Sequence, residues 1–575
     1  MAGRMKNFKH AVPEFSFRRY SVIAGVAAGL LLLVARAYEL QVLNRDFLHL
    51  QGTARQQRVV TVPAHRGTIV DRNGEPLAIS TPVDSIWVDP GEFLEQPDSL
   101  YRLAQQLELD PRSLQSRLAG AEDREFVYIK RQLPPSRAVE IDKLGLPGVY
   151  LQREYRRYYP AAEVAAHVLG FTDIDDHGQE GIELAYDDWL AGYPGSERVV
   201  RDRLGHVIEH VESIEPARPG RDLTLSIDRR LQYLAYRELK SAVQKHHAES
   251  GSLVLLDSYT GEVLAMVNQP SFNPHKRDEL RGERYRNRAL TDVFEPGSTM
   301  KPFTAAAALE YKFLKATTKV DTSPGWVRVG GHTIHDPRNY GPLNIQGIFR
   351  HSSNVGATKV ALRMPASALW HTYNRFGFGR STGSGFPGES IGTLNHFDQW
   401  GRLEQATMAF GYGLSVTATQ LAHAYSILAN GGLNLPVTLI KQDKPPAGQR
   451  VLSAKSAHIL RYALSSVVDE GTGHRAQVPG YRIAGKTGTV RKATDTGYTE
   501  EAHTSVFAGM APLSDPRLVM VVVINKPRGE QYYGGQVAAP VFGHVIADAL
   551  RLLNIPPDDP KTMLVDSAGQ TEHHT

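Results

Sequence analysis

The feature that most constrains this chain is one uncharged run near its amino terminus. Tyr20 to Ala35 carries no charge and comes after several basic residues, a pattern that keeps the amino terminus in the cytoplasm and predicts export of the rest of the chain. A signal peptide cleaved at Ala35-Arg36-Ala37 and an uncleaved anchor are the two alternatives. Because apolar residues resume from Tyr38 to Leu43, the anchor is favoured. Arg36 and Glu39 are then expected to pair or to reach the outer face.

Length, charge and cysteine content limit the nature of the exported part. A chain of 575 residues is too long for one ordinary core, so two or three folded units are expected. The net charge of only +4 gives no case for nucleic-acid binding, and a solvated loop is the better interpretation of the basic run from Arg281 to Arg288. Cysteine is absent, which excludes disulfides, thiolate nucleophiles and zinc–sulfur sites.

The predicted domain order is based on composition and turn signals. A cytoplasmic basic tail at 1–19 and the anchor at 20–43 precede a mixed, charged stretch at 46–219 without a compact set of catalytic residues. This stretch is expected to be an extracytoplasmic spacer or docking domain. Residues 220–556 are expected to form one α/β unit of the α+β type, and 557–575 a flexible tail.

The 220–556 unit is predicted to contain an antiparallel sheet flanked by helices. Asp228 is a candidate cap for a helix whose apolar residues keep helical spacing. Two apolar runs, Leu253 to Leu256 and Val263 to Val267, are separated by turn residues and predict a hairpin. Ser505 to Met510 and Leu518 to Ile524 predict two further strands, and the last helix is predicted from Pro540 to Leu553. Strands at both ends of a helix-rich unit favour this architecture.

The strongest local signal is the run from Glu295 to Pro302. Pro-Gly ends the preceding segment and helix formers come next, so Ser298 is predicted at the start of a helix. Ser298 and Lys301 are three residues apart and therefore share one helix face. The lysine amine can accept the hydroxyl proton once its pKa is lowered by burial or by nearby positive charge. The helix dipole also favours negative charge that develops near this serine.

Two further motifs come later in the chain, in a fixed order. They are Ser352-Ser353-Asn354 and Lys486-Thr487-Gly488-Thr489, and the second leads into a predicted strand. A Ser-x-x-Lys pattern alone is common by chance. The three motifs together are the signature of penicillin-binding proteins and class A β-lactamases, so we interpret Ser298 and Lys301 as nucleophile and base.

The middle motif and Lys486 are predicted to complete the catalytic group. Ser352 offers a hydroxyl that can relay a proton to a departing amine, and Lys486 supplies positive charge close to it. Asn354 offers an amide to the backbone of a peptide substrate. Ser353 is predicted to be a substrate-binding residue.

The last motif is predicted to hold the substrate. Gly488 permits close backbone approach, so that a peptide can add to the strand edge. The hydroxyls of Thr487 and Thr489 are candidates to hold a terminal carboxylate. The backbone amides of Ser298 and Thr489 are candidates for the oxyanion hole. Tyr532-Tyr533 either walls the substrate cleft or fills a turn.

These motifs resemble those of the class B penicillin-binding proteins, and most closely those of their cell-division branch. Ser353 stands where β-lactamases usually have aspartate, which favours the same branch. The resemblance covers nearly the whole chain. Outside the catalytic motifs it rests on Arg66-Gly67, Asp71-Arg72-Asn73-Gly74, Arg157-Tyr158-Tyr159-Pro160, Gly181-Ile182-Glu183, Gly385-Phe386-Pro387-Gly388-Glu389 and Tyr412-Gly413.

The resemblance implies an anchored pedestal under a transpeptidase domain. It implies a peptidoglycan D,D-transpeptidase that takes D-Ala-D-Ala donor stems and amine acceptors, acts at the division septum, and is acylated by β-lactams. It implies no cofactor and no metal. The implied partners of the pedestal are a polytopic glycan polymerase and other division proteins. The implied location is the inner membrane, with a single span and the catalytic domain in the periplasm.

Other functions are disfavoured by particular residues. A β-lactamase needs a base that activates water, and Glu389, ahead of Leu394-Asn395, has the wrong spacing for the usual motif. A penicillin-sensing receptor is expected to carry a cytoplasmic signalling part, and a purely structural division scaffold is disfavoured because every motif side chain is intact. His332 to Asp336 offers candidate metal ligands, but a polar loop is the favoured interpretation.

Overall fold

The computed structural model describes residues 16–47, 57–121, 123–201, 207–276, 282–494 and 497–559. Most of the predicted tails at 1–19 and 557–575 therefore lies outside the described residues, as does part of the basic run that begins at Arg281. The chain divides into two compact units. The first consists of Met1–Ala64, Val83–Glu154 and Tyr193–Arg218, and the second of His65–Pro82, Tyr155–Gly192 and Pro219–Thr575.

The helices and strands are numbered here in chain order. The α-helices are α1 (Ser16–Tyr38), α2 (Pro90–Phe93), α3 (Pro97–Leu107), α4 (Pro111–Leu118), α5 (Pro135–Asp142), α6 (Ala166–Leu169), α7 (Gly181–Ala185), α8 (Asp187–Leu190), α9 (Arg229–Lys245), α10 (Arg288–Thr291), α11 (Lys301–Glu310), α12 (Ile345–Arg350), α13 (Asn354–Ala361), α14 (Ala366–Arg375), α15 (Arg402–Met408), α16 (Ala418–Ala429), α17 (Ala454–Asp469) and α18 (Gly534–Leu552). The strands are β1 (Gln57–Val62), β2 (Ile69–Val70), β3 (Pro76–Val88), β4 (Val127–Leu133), β5 (Val149–Tyr158), β6 (Gly195–Arg201), β7 (Val207–Glu215), β8 (Leu223–Thr224), β9 (Ser250–Asp257), β10 (Val263–Gln269), β11 (Val320–Asp321), β12 (Trp326–Val329), β13 (His332–His335), β14 (Pro342–Leu343), β15 (Leu433–Asn434), β16 (Gln449–Arg450), β17 (Ala484–Thr494), β18 (Gly497–Ala511) and β19 (Leu518–Asn525).

The amino-terminal apolar run forms one long helix. Helix α1 continues into a π-helical turn, and together they give a segment of 27 residues from Phe17 to Leu43, in which a stretch of 18 residues has a mean hydropathy of 1.9. This is the one helix among the described residues that is long and apolar enough to cross a membrane. Arg36 Nη1 lies 2.7 Å from Glu39 Oε2, so the expected pairing of these two charges is confirmed.

The first compact unit contains a small sheet and a separate helix-covered core. Strands β1, β6 and β7 form an antiparallel sheet with β6 in the centre. Strand β4 pairs with the second half of β3, and helices α2 to α5 bury apolar side chains against this pair. Asp89 and Asp110 cap α2 and α4 by accepting hydrogen bonds from backbone amides, and each is followed by a proline at the first helical position.

The second unit contains a buried ion network that ties its non-contiguous segments together. Glu183 is fully buried and accepts hydrogen bonds from Arg66 Nε at 2.8 Å and Arg157 Nε at 2.7 Å. Arg66 Nη1 also contacts Asp187 Oδ1 at 2.7 Å. A buried carboxylate that is shared by two guanidinium groups stabilises this part of the unit only as long as all partners are present. Arg66, Arg157 and Glu183 belong to the motifs on which the family resemblance rests.

The core of the second unit is a five-stranded antiparallel sheet in the order β10-β9-β19-β18-β17. The predicted hairpin is confirmed as β9 and β10, and the two later predicted strands are confirmed as β18 and β19. Strand β17 lies at the edge of this sheet. Its outer backbone groups therefore have no sheet partner among the described strands and can pair with a bound peptide.

Helices cover both faces of this sheet. On one face α9 and α18 bury apolar side chains against β9, β18 and β19. Asp228 accepts a hydrogen bond from Arg230 N and starts α9, as predicted. On the other face α11, α13, α16 and α17 form a second apolar cluster. Most residues of α11 are buried, so the catalytic helix is held as a core element.

The predicted start of the last helix is wrong. Helix α18 begins at Gly534, six residues before Pro540, and Pro540 lies inside it. A Cβ on Gly534 would lie 2.3 Å from Gly488 O and 2.4 Å from Val506 O. The helix begins where its first residues pack closely against β17 and β18. The preference of proline for the first turn of a helix predicts a start near Pro540 and carries no information about this packing.

Candidate active site

The nucleophile segment is shaped by two glycines. Gly297 has φ +56°, and its amide donates to Gly411 O at 3.1 Å. Gly411 has φ +86°, and a Cβ there would lie 2.1 Å from Gly297 O. Ser298 lies in a 3₁₀ turn at Gly297–Met300 that leads directly into α11. The predicted helix start is confirmed, with a tighter first turn than expected.

Lys301 lies at the centre of the polar group. Its Nζ is 3.0 Å from Ser298 Oγ, 3.2 Å from Ser352 Oγ and 2.8 Å from Asn354 Oδ1. It also donates to Ser352 O at 2.5 Å. The structure therefore brings the first two motifs together around one amine.

The environment of Lys301 favours the neutral amine. Burial lowers the pKa of Lys301 well below its ordinary value, the positive charge of Lys486 lowers it further, and the negative charge of Asp336 opposes both. Only 1% of the surface of Lys301 is exposed. A neutral amine 3.0 Å from Ser298 Oγ has a lone pair in reach of the hydroxyl proton.

Ser352 is held in an uncommon backbone conformation between the two lysines. Its φ of +54° lies in the left-handed region, which non-glycine residues seldom adopt. Ser352 Oγ donates to Ser298 Oγ at 3.0 Å and accepts from Lys486 Nζ at 3.0 Å. A hydroxyl in this position connects the nucleophile to both amines and can pass a proton among them.

Lys486 is the residue for which the sequence predicts a fixed positive charge. Its side chain is fully buried, and this burial lowers the pKa of Lys486 to about 7. Its other contacts are Thr487 O at 3.1 Å and Thr487 Oγ1 at 3.5 Å. Burial thus disfavours the charged form of this amine relative to an exposed lysine, and the approach of a substrate carboxylate would favour it.

The two threonines of the last motif lie on the edge strand β17. The hydroxyl of Thr487 is hydrogen-bonded to another hydroxyl, and that of Thr489 to a backbone amide. Thr487 Oγ1 is 2.7 Å from Thr472 Oγ1, and Thr489 Oγ1 accepts from Gly534 N at 2.9 Å. A Cβ on Gly488 would lie 2.9 Å from Pro296 O, so this glycine is needed for close packing against the nucleophile segment. The oxyanion-hole amides of Ser298 and Thr489 remain predictions.

The tyrosine pair adjoins the same strand. Ser505 Oγ donates to Tyr532 O at 2.5 Å, and the rings of Tyr532 and Tyr533 stack with centroids 4.5 Å apart. Tyr533 is 53% exposed and immediately precedes α18. The exposed ring of Tyr533 lies next to the edge strand, because the following residue, Gly534, donates its amide to Thr489 Oγ1.

Asp336 is a site residue that the sequence did not identify as such. Its carboxylate accepts hydrogen bonds from Asn354 N at 2.6 Å, Val355 N at 3.0 Å and Ser353 Oγ at 2.5 Å. Asp336 thereby caps α13 from a distant loop and holds the Ser-Ser-Asn motif against Lys301. The hydroxyl of Ser353 accepts from Gly356 N at 2.8 Å, so Ser353 is engaged in the same cap.

Comparison with known proteins agrees with this geometry. The model of the penicillin-binding protein transpeptidase domain matches residues 251–547, and the model of the penicillin-binding protein dimerisation domain matches residues 61–225. The peptidoglycan D,D-transpeptidase FtsI of Escherichia coli K12 is 43% identical over 94% of this chain and 92% of its own length. This chain belongs to the class B penicillin-binding proteins.

Two further relatives extend the comparison. The probable peptidoglycan D,D-transpeptidase PbpC of Pseudomonas aeruginosa PAO1 is 40% identical over 97% of this chain and 99% of its own length. The crystal structure of penicillin-binding protein 3 from Mycobacterium tuberculosis complexed with aztreonam is 28% identical, with a TM-score of 0.68 over 87% of this chain and 99% of that one. The α+β fold predicted from the sequence is thus that of the family.

In this penicillin-binding protein the first two motifs and Lys486 form one continuous hydrogen-bonded group. Lys301 joins Ser298, Ser352 and Asn354, and Lys486 joins Ser352 to Thr487. Such an arrangement can generate a serine nucleophile, carry its proton away and return it to a leaving nitrogen.

Proposed function

We propose that this chain is a peptidoglycan D,D-transpeptidase that cross-links peptide stems through an acyl-enzyme on Ser298. The observation that carries the proposal is the position of Lys301 Nζ, buried and 3.0 Å from Ser298 Oγ. Family membership supplies the substrate class, since the curated relatives are named peptidoglycan D,D-transpeptidases.

Acylation uses the residues in a definite order. Neutral Lys301 accepts the proton of Ser298 as Oγ attacks the carbonyl carbon between the two terminal D-alanines of a donor stem. The tetrahedral oxyanion is placed to accept from the backbone amides of Ser298 and Thr489. As the C–N bond breaks, the proton passes through Ser352 Oγ, 3.2 Å from Lys301 Nζ, to the nitrogen of the departing D-alanine.

The substrate is bound by the edge strand β17 and by the residues next to it. The donor stem adds to the outer edge of β17, and its terminal carboxylate is held by the hydroxyls of Thr487 and Thr489 beside Lys486. Asn354 Oδ1 accepts from Lys301, which leaves its Nδ2 group to donate to the substrate backbone. Tyr532 and Tyr533 wall the cleft next to this strand.

Transfer to an amine is preferred over hydrolysis because the side-chain hydrogen bonds that the structure describes for Ser298 Oγ are to Lys301 and Ser352, and none is to a carboxylate that could act as a base for water. The candidate named from the sequence, Glu389, is engaged by neighbouring groups. Its carboxylate accepts from Thr382 N at 2.8 Å, from Ser381 Oγ at 2.8 Å and from Ser384 Oγ at 2.9 Å. A slow reaction with water leaves time for the acceptor amine, whose proton returns to Lys301 as the new amide forms.

The location and partners proposed for the chain rest on the anchor helix and the family. The segment from Phe17 to Leu43 is assigned as a single span of the inner membrane, with the catalytic unit in the periplasm. β-Lactams acylate Ser298. A polytopic glycan polymerase and other division proteins are the proposed partners, and the septum is the proposed site of action.

The test measures how the acyl group leaves. The purified full-length chain is acylated with benzylpenicillin, and the adduct is followed by intact mass; the proposal expects it to persist for many minutes. In parallel, a thioester mimic of the donor stem is supplied with and without a D-amino acid. Product should move from acid to amide when the D-amino acid is present, and the L-enantiomer serves as the control.

Two results would contradict the proposal. Turnover of the penicillin adduct within seconds would favour a hydrolase. Equal amounts of acid with and without the D-amino acid would show that the enzyme transfers the acyl group to water.

A further inference from the structure

A polar cavity lies along the catalytic sheet, apart from the substrate cleft. It encloses about 70 Å³, which is room for a group larger than one water. One wall is formed by sheet residues, among them Ser250, Thr504 and Asn525, which face one another across β9, β18 and β19. The other wall includes Asp292 and Phe294, on the segment that leads to Ser298. We call it the sheet cavity.

The described charges around the sheet cavity do not cancel. Asp292 lies 3.0 Å from Arg286 and 2.9 Å from Arg288, and Lys526 lies 2.6 Å from Glu249. Glu283 is 3.8 Å and 3.9 Å from the same two arginines. With Lys492, four cations of this region thus face three carboxylates.

Lys492 lines the cavity with a half-buried side chain. It makes no hydrogen bond or ion pair with any residue that the structure describes. Burial and the positive charges of Lys526 and Arg288 lower the pKa of Lys492, whereas the negative charges of Glu249 and Asp292 raise it. A partly desolvated ammonium that has no direct ion pair among the described residues would gain one from an anion bound in the cavity.

Neutral hydrogen-bond donors line the sheet cavity in addition to the charged side chains. Ser250 Oγ accepts from Asn525 Nδ2 at 3.1 Å, which leaves the hydroxyl hydrogen of Ser250 to donate to a guest. Thr504 is buried at the same wall and offers a second hydroxyl. Hydroxyl donors together with one arginine and one lysine match the oxygens of a carboxylate or phosphate.

We propose that the sheet cavity binds a small carboxylate or phosphate anion, held by Lys492 and Arg288 and by the hydroxyls of Ser250 and Thr504. This site is separate from the substrate-binding residues of β17, although Lys492 lies on the same strand. Binding joins β17 to the segment that precedes Ser298, and the bound state is therefore stabilised against unfolding by mass action.

The test is a thermal-shift titration of the full-length chain in detergent. Sodium acetate and inorganic phosphate are each titrated at constant ionic strength maintained with sodium chloride. The expected result is a saturable rise in melting temperature with at least one of them, and the more effective anion identifies carboxylate or phosphate as the chemistry. Calorimetric titration of the same anion gives the dissociation constant.

Matched variants locate the binding site. Lys492→Met should weaken binding, raising the dissociation constant by at least about tenfold, since a charge-assisted hydrogen bond is lost. Lys526→Met removes the same charge from an ammonium that is already paired with Glu249, and it should retain the titration. No saturable response to either anion, or an unchanged dissociation constant in Lys492→Met, would overturn the proposal.

Discussion

Removing the carboxylate of Asp336 should damage both the stability and the reactivity of the catalytic group. The substitution is Asp336→Asn, which keeps the shape of the side chain and removes its negative charge. In the wild type this carboxylate accepts from two backbone amides at the start of α13, at 2.6 Å and 3.0 Å, and from the hydroxyl of Ser353. An asparagine oxygen can accept from the amides and its Nδ2 group can donate to the hydroxyl, so the substitution removes the negative charge that strengthens these bonds.

The expected loss of stability is about 1–3 kcal/mol, because hydrogen bonds to charged groups contribute about 1.5–3 kcal/mol and a helix cap about 0.5–2 kcal/mol, and these contributions overlap. Misplacement of Ser352 and Asn354 by a fraction of an ångström should slow acylation by about 10- to 100-fold. Asp336 also raises the pKa of Lys301. Without it that pKa falls further, so the acid limb of the acylation profile should move to lower pH.

The assay combines urea denaturation with second-order rates of labelling by a fluorescent penicillin across pH. Asp321→Asn is the matched control, since the carboxylate of Asp321, an exposed residue at the end of β11, accepts from Ser323 N at 2.9 Å and makes no described hydrogen bond to a catalytic motif. If Asp336→Asn had the stability, labelling rate and pH profile of Asp321→Asn, the positioning role assigned to Asp336 would be refuted.

Three further predictions concern packing, the buried ion network and proton uptake. Gly411→Ala should lower the labelling rate far more than Gly413→Ala, because both have positive φ but a Cβ at Gly411 would lie 2.1 Å from Gly297 O, whereas at Gly413 it would meet only Met408 Cε at 3.6 Å. Glu183→Gln should cost about 3–5 kcal/mol in urea denaturation, since two buried arginines lose their shared carboxylate. The pKa of Lys486 is lowered to about 7 in the folded chain, so between pH 7 and the higher pKa of this lysine in the unfolded chain the unfolded state binds more protons. The free energy of unfolding, measured by urea denaturation, should therefore rise with pH over that range. Lys486→Met should make this rise smaller.

The sequence predicted the parts of the fold and site that depend on local spacing. The three-residue step from Ser298 to Lys301 places both on one helix face, and the structure has their reactive atoms 3.0 Å apart. Asp228 as a helix cap and the β9–β10 hairpin likewise depend on neighbouring residues. These predictions hold because short-range geometry decides them.

Features that depend on distant contacts could not be predicted. The sequence alone makes Asp336 a candidate metal ligand beside two histidines, because nothing in its own segment shows that it reaches Asn354 N. Thr472, whose hydroxyl is hydrogen-bonded to that of Thr487, belongs to none of the sequence motifs. The start of α18 at Gly534 is set by contact with the backbone of Gly488, which only the packed structure brings close. The lowered pKa of Lys486 has the same origin, since burial is a tertiary property.

The central claim is that Ser298 is the residue that becomes acylated. Intact mass of the full-length chain after treatment with benzylpenicillin, followed by peptide mapping, tests it most directly. We expect one adduct per chain on the peptide that contains Ser298, and none in Ser298→Ala, whose melting temperature should stay near that of the wild type. An adduct of the same stoichiometry in Ser298→Ala, or one that maps to another residue of the wild type, would contradict the claim.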